Sequence, residues 1–299
     1  MTTTPLPNPL GVHALVWVGD TGDAAIDTAV AKTAAAGFDL LELSLHDLDH
    51  LDVARTRSAL ESAGLQVACS RGLAFDADVS SDDASVVARG ARLLEESLAA
   101  TVGLGGRIFT GALYSALGKY GRPVTTRGRA NAVAVIRDVA RAARRDGVTL
   151  GIEICNRYET NVVNTAVQAL ELVEDIGEDN VTVHLDTYHM NIEENDMTGP
   201  VLAVAERLGY VHIGENHRGY LGSGHIDFTA FFHTLARVGY RGPITFESFS
   251  SAVVAPGLSA DLAVWRNLWD NGERLARHAR AFIANHLAAC APETIDVAS

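Results

Sequence analysis

Four residues in the second half of the chain have the types and spacing to hold a divalent cation. Glu153 in LGIEI, Asp186 in VTVHLD, His212 in YVHIG and Glu247 in PITFES are separated by 33, 26 and 35 residues. Each lies at or near the end of a short apolar run, and each interval is about one strand–helix unit. Side chains on a strand alternate faces with a period of two. Glu153 is flanked by Ile152 and Ile154, Leu185 precedes Asp186, Val211 and Ile213 flank His212, and Phe246 precedes Glu247. If these apolar neighbours pack under helices, all four polar side chains point inward. Three carboxylates converging without compensation repel one another and lose hydration. A divalent ion removes that conflict. Oxygen-rich ligation with one imidazole suits Mn²⁺, Mg²⁺ or Co²⁺ better than structural zinc, and leaves about two octahedral positions for substrate or water. A single Glu or His in a strand also occurs as a hydrogen-bonded core residue. Four at unit spacing and common parity favour the metal centre.

Further polar groups sit just past these strands. Arg157 and Glu159 follow Glu153 in NRYET, His189 follows Asp186 in DTYHMNIEE, and Arg218 follows His212 in ENHRGY. Each also fits a loop salt bridge or a helix cap, Arg157 most of all. His184 and Glu42 share the inward parity and read as supporting residues, His184 in a barrel layer or against a ligand carboxylate. His13 fits either the pocket wall or a layer inside the sheet.

The elements that must position these groups alternate regularly. GVHALVW, DLLELSL, LQVACS, RIFTG, VTLGIEI, VTVHLD, YVHIG and PITFES read as strands. DTAVAKTAAA, closed by Gly37, reads as the first helix. Helices follow near 51–63, from an N-cap at Ser81 to about Gly103, and near 128–146, 163–176, 198–208, 228–238 and 261–287. Eight strand–helix units at this spacing predict a single-domain α/β fold, a (β/α)8 TIM barrel spanning 1–299. The ordered core is expected over about 10–288, with loose ends. A doubly wound sheet alternates in the same way, but no G-x-G-x-x-G follows the first strand. In a barrel the four candidate ligands lie at the C-terminal ends of strands five to eight, where active sites of this fold sit.

Composition narrows the function classes. The 299 residues are 47% hydrophobic, too apolar for disorder, and 24 basic against 37 acidic side chains leave a net charge of −13. That excess disfavours a nucleic-acid partner. Cys69, Cys155 and Cys290 show no C-x-x-C spacing, so neither a disulfide framework nor a thiolate zinc site is implied. MTTTPLPNPL lacks the pattern of a signal peptide, and no apolar run approaches the roughly 18 residues of a membrane span. A cytoplasmic protein without membrane partners is expected.

The stretches GIEICNRYETN, HLDTYHMNIEE, GYVHIGENHRGYLGSGHIDF and ITFESFSSAVV resemble the ketose 3-epimerases, the D-tagatose, D-allulose and L-ribulose 3-epimerases among the xylose-isomerase-like barrels. The similarity runs from GVHALVW to VWRNLWDNGERLARHA. It implies Glu153, Asp186, His212 and Glu247 as ligands of one divalent ion per subunit, Mn²⁺ first with Co²⁺ or Mg²⁺ possible. It also implies Glu153 and Glu247 as acid–base catalysts, with Glu159, His189 and Arg218 holding the C1–C3 end of a ketose substrate. A homodimer or homotetramer is implied as well. Two segments depart from the pattern. Ile154 and Cys155 keep the apolar character of two valines, and Arg71 in CSRGL replaces an apolar residue. If Arg71 faces the pocket it alters recognition of the far end of the sugar; if it faces outward it is a solvated charge.

The implied chemistry is inversion at C3. A divalent ion on O2 and O3 stabilises a cis-enediolate, while one glutamate removes the C3 proton and the other delivers a proton to the opposite face. An aldose–ketose isomerase of the same barrel type is the alternative and moves hydrogen between C1 and C2. A three-zinc endonuclease wants more histidines, and a non-catalytic sugar-binding protein does not need both glutamates.

Overall fold

Eight parallel strands hydrogen-bond to their neighbours in chain order, and the eighth closes on the first, in a computed structural model that describes residues 6–19, 22–254 and 256–290. The strands are β1 (Leu10–His13), β2 (Leu40–Ser44), β3 (Gln66–Ser70), β4 (Ile108–Gly111), β5 (Thr149–Glu153), β6 (Val181–Asp186), β7 (Leu208–Ile213) and β8 (Ile244–Phe246). The closed barrel is the expected fold, not a doubly wound sheet. Its helices are α1 (Asp23–Ala36), α2 (Val53–Ala63), α3 (Ala84–Gly103), α4 (Thr126–Arg145), α5 (Ala166–Ile176), α6 (Thr187–Glu193), α7 (Gly199–Ala203), α8 (Phe228–Arg237), α9 (Pro256–Asp261) and α10 (Gly272–Ala289). The expected loose ends fall largely on residues 1–5 and 291–299, outside the described residues.

Local chemistry sets most helix starts. Asp52, Thr125, Asp227 and Asn271 each accept a backbone N–H at an N-cap, and Thr165 forms a reciprocal capping box with Gln168. The cap of α3 is Asp83 rather than Ser81. Its carboxylate accepts the Ser85 N–H at 2.7 Å, while the Ser81 hydroxyl accepts the Asp83 N–H and shapes the turn before it. The helix expected over 261–287 begins only at Gly272, after a non-helical stretch over 262–271 that follows α9. Ala263 adopts φ 52°, which a right-handed helix cannot continue, and the Asn267 carboxamide oxygen instead accepts from Ser250, Ser251 and Ala252. The helix expected near 198–208 is α7 followed by a 3-10 turn at Ala205–Arg207.

Strand parity sorts the side chains as the alternation predicts. Leu41, Leu43, Ile152, Val183, Leu185, Val211, Ile213 and Phe246 are buried in the main apolar core between sheet and helices. Leu40, Ala68 and Tyr210 form a small apolar layer inside the barrel. Above it the interior turns polar, with Glu42, Thr110, His184, His212 and Thr245 all fully or almost fully buried. Gly151 is needed in this layer, because a Cβ there would sit 2.3 Å from the Thr110 hydroxyl oxygen.

Candidate active site

The floor of the site is a hydrogen-bonded polar layer. Glu42 Oε2 accepts from Tyr210 Oη at 2.8 Å and from His212 Nε2 at 2.7 Å, and Tyr210 Oη also meets Thr245 Oγ1 at 2.6 Å. His13 Nε2 lies 3.7 Å from Glu42 Oε1. With Nε2 engaged by a carboxylate, the Nδ1 side of His212 points up at the barrel mouth. There it meets Glu153 Oε1 at 3.3 Å, Asp186 Oδ2 at 3.6 Å and Glu247 Oε1 at 3.6 Å. The four residues proposed from spacing alone therefore come together on one atom.

Electrostatics reflect this crowding. Burial alone raises the Glu42 carboxyl, but the His212 imidazole beside it prevails and holds it well below the usual carboxylate range. Burial disfavours a charged His212, yet Glu42 and Glu247 outweigh it and raise the imidazole well above its ordinary value. Burial pushes the Glu153 carboxyl up, against the opposing pull of His212. For Asp186 burial is again outweighed, here by His189 and Arg218, and its carboxyl is lowered. Two buried atoms at the centre, Asp186 Oδ2 and His212 Nδ1, make no hydrogen bond. Asp186, His212 and Glu247 each offer a ligand atom within 4.8 Å of the others'.

The residues past the strands form a second tier. His189 Nδ1 accepts the Asn156 backbone N–H at 3.1 Å, which places the ring proton on Nε2. That nitrogen stands 4.0 Å from Glu153 Oε1, 3.9 Å from Glu159 Oε2 and 4.0 Å from Asp186 Oδ2. Glu159 is steadied by Asn156 Nδ2 at 2.8 Å. Arg218 bonds Glu247 Oε2 through Nη1, lies 3.6 Å from Asp186 Oδ2, and stacks 3.9 Å above the Tyr188 ring centroid with Phe249 at 4.9 Å. It does so from φ 61°, an unusual backbone for arginine that the Ser248 hydroxyl helps hold by donating to its carbonyl.

Other sequence expectations resolve individually. Arg157 turns away and pairs with Glu193 at 2.7 Å. Glu42 supports His212, as its parity suggests. His184 does not hold a ligand carboxylate. Its Nδ1 meets Thr110 Oγ1 at 2.8 Å, and its ring packs edge-on to His212 with centroids 4.2 Å apart. His13 lines the cavity and also belongs to the polar layer. Arg71 is neither a solvated charge nor aimed at the carboxylates; it is 8% exposed and tied to Leu45 and Ser97. Sequence reasoning missed Asn156, which links Glu159 to His189, and the fully buried Glu215. The Glu215 carboxylate accepts the backbone N–H groups of Asn216 and Gly222, holding the loop that carries Arg218.

Above these groups opens a cavity of about 470 Å³ bounded by Glu153, His212, Glu247, Ser70, Leu117 and Phe249. A neighbouring pocket of about 150 Å³ shares Phe249 and adds Glu159, Tyr188 and Arg218. A parallel eight-stranded barrel with carboxylates and an imidazole converging at its C-terminal mouth defines a class of enzymes whose site is built on strand ends. The chain belongs to the xylose isomerase-like TIM barrels, whose family model matches residues 30–286, and within them to the ketose 3-epimerases. It is 50% identical over 280 residues to a ketose 3-epimerase of Arthrobacter globiformis, covering 94% of this chain and 97% of that protein. It is 48% identical to an L-ribulose 3-epimerase of a Methylomonas species, covering 91% and 96% of the two chains. A crystal structure of a D-allulose 3-epimerase from Methylomonas in complex with D-allulose superposes with a TM-score of 0.92 at 47% identity, covering 94% of this chain and 98% of that one.

Proposed function

We propose that the protein inverts C3 of free ketoses, of the D-allulose/D-fructose, D-tagatose or L-ribulose type, using one divalent metal ion, with Mn²⁺ as the first choice and Co²⁺ or Mg²⁺ as alternatives. The observation that carries the reading is the convergence of the Glu153, Asp186 and Glu247 carboxylates on Nδ1 of His212. The donor set fits a divalent ion. It offers three carboxylates, an imidazole whose other nitrogen is fixed by Glu42, and two buried atoms lacking hydrogen-bond partners. A divalent ion held there would supply the positive charge that three converging carboxylates call for. When bound, the ion supplies charge stabilisation for the substrate's O2 and O3.

The rest of the chemistry falls to side chains. One of Glu153 and Glu247 accepts the proton from C3, leaving its electron pair delocalised toward the carbonyl. The other, protonated, donates to the opposite face of C3 as that pair returns. The two carboxyls end with exchanged protonation states, which proton exchange with solvent resets. Arg218 holds Glu247 in position from beside Tyr188. Glu159 and His189 contact the O1 end, steadied by Asn156. A homodimer or homotetramer belongs to the same reading, supported by exposed Phe75, Tyr158 and Trp265. A cytoplasmic location also belongs to it, supported by three free cysteines. None of the helices among the described residues is long and apolar enough to cross a membrane. Assaying a panel of ketohexoses and ketopentoses for C3 inversion, with and without added Mn²⁺, tests the proposal. Inversion of one or more, lost on metal removal, is expected; no inversion of any of them contradicts it.

A further inference from the structure

The cavity above the carboxylates also reaches a charged group that the proposed chemistry does not use. Arg71, one residue past β3, lines its wall together with Ser44, His46 and Leu93. It is more than nine-tenths buried. Its Nη1 donates to the Leu45 carbonyl and, at 3.1 Å, to Ser97 Oγ, which uses both protons on that nitrogen. Nε is shielded from solvent and has no hydrogen-bond partner, and Nη2 makes no hydrogen bond among the described residues. Among those residues no carboxylate lies within 4.0 Å of the guanidinium, and Glu96 acts on it only from farther away. Buried charges are ordinarily paired. Here Nη2 is the end of the guanidinium left without a partner, and its N–H groups can donate to an oxygen of a carboxylate or phosphate.

We propose that the part of the cavity bounded by Ser44, His46 and Arg71 is a subsite for an anionic group, a carboxylate or a phosphate, on the ketose carbon farthest from the carbonyl. This rests on the epimerase reading and extends it from neutral ketoses to acidic ones. Arg71 is then a specificity-determining residue, remote from the carboxylates that handle the C3 proton. Its two bonds through Nη1 fix the guanidinium plane, so little side-chain freedom is lost when an anion arrives.

The test compares three substrates: D-fructose, D-fructose 6-phosphate, and the ketohexose bearing a carboxylate at C6. Each is assayed for C3 inversion with the metal-loaded native protein and with Arg71→Met and Arg71→Lys. We expect the native protein to invert one or both anionic ketoses, and the two arms tell carboxylate from phosphate. Arg71→Met is expected to lower kcat/KM for the anionic ketose by about tenfold or more, mainly through KM, while D-fructose changes by less than about threefold; Arg71→Lys recovers part of the loss. Inversion of D-fructose but of neither anionic ketose by the native protein overturns the subsite, whether or not the variants fold. Equal losses for neutral and anionic ketoses in Arg71→Met also overturn it, leaving Arg71 as a structural tie. If no ketose is inverted, it is the epimerase reading that fails.

Discussion

Glu42 in the first half of the barrel and Glu153 in the second are both buried glutamates pointing into the same interior, yet they differ in their electrostatic setting. Glu42 is bound by Tyr210 and His212 and held ionised. Glu153 stands at the cavity wall with its carboxyl pushed up by burial. The interior divides in the same way. Its lower half is a layer in which Glu42, Tyr210, His212 Nε2 and Thr245 hydrogen-bond to one another, whereas in the upper half, at the barrel mouth, Asp186 Oδ2 and His212 Nδ1 make no hydrogen bond. Parity places a carboxylate inside the barrel; its hydrogen-bond partners decide whether it is scaffold or reagent.

That contrast can be broken most severely at the reactive half. Stripping divalent ions with a chelator is expected to abolish turnover, with Mn²⁺ or Co²⁺ restoring it; normal turnover by fully demetallated protein refutes the metal role. Replacing Glu153 or Glu247 by Gln is expected to cost roughly 10²–10⁴-fold in kcat and to weaken metal binding. A near-normal rate in either variant removes that residue from the acid–base pair.

The supporting half is expected to respond differently. Glu42→Gln leaves both proposed catalytic glutamates in place but loosens His212, so metal affinity is expected to fall about 10–100-fold. A calorimetric Mn²⁺ titration reads this directly, and an unchanged affinity makes Glu42 a bystander. Acid should act at the same atom. A proton and a divalent ion compete for His212 Nδ1, and the ion-free imidazole titrates above its ordinary value of 6.5. Below that raised value each pH unit of acidification is expected to weaken Mn²⁺ binding by up to about tenfold from this group, with Glu153 adding to the loss at lower pH. A flat affinity between pH 5 and 7.5 contradicts the assignment. The smallest effect is expected at Arg157→Ala, which opens a partly exposed ion pair with Glu193 and should leave turnover within about twofold.

The strands and the four converging residues were legible because strand parity is a local rule that a sequence displays directly. Glu42 was legible for the same reason. The non-helical stretch over 262–271 was hidden, because Ala263 and Asn267 act through backbone geometry and a loop contact that no periodicity encodes. Asn156 and Glu215 were hidden too, since each works by holding loops far apart in any strand pattern. The Arg71 side chain carried a readable anomaly of type, but its direction is set by Leu45 and Ser97 on other elements.

The central claim is that two carboxyls on opposite faces exchange the proton at C3. Running the reaction on D-fructose or another accepted ketose in D₂O and locating deuterium by NMR tests it most directly. Solvent deuterium is expected at C3 of the inverted product and at no other carbon. Deuterium at C1 or C2, or inversion at C3 without solvent label, contradicts it.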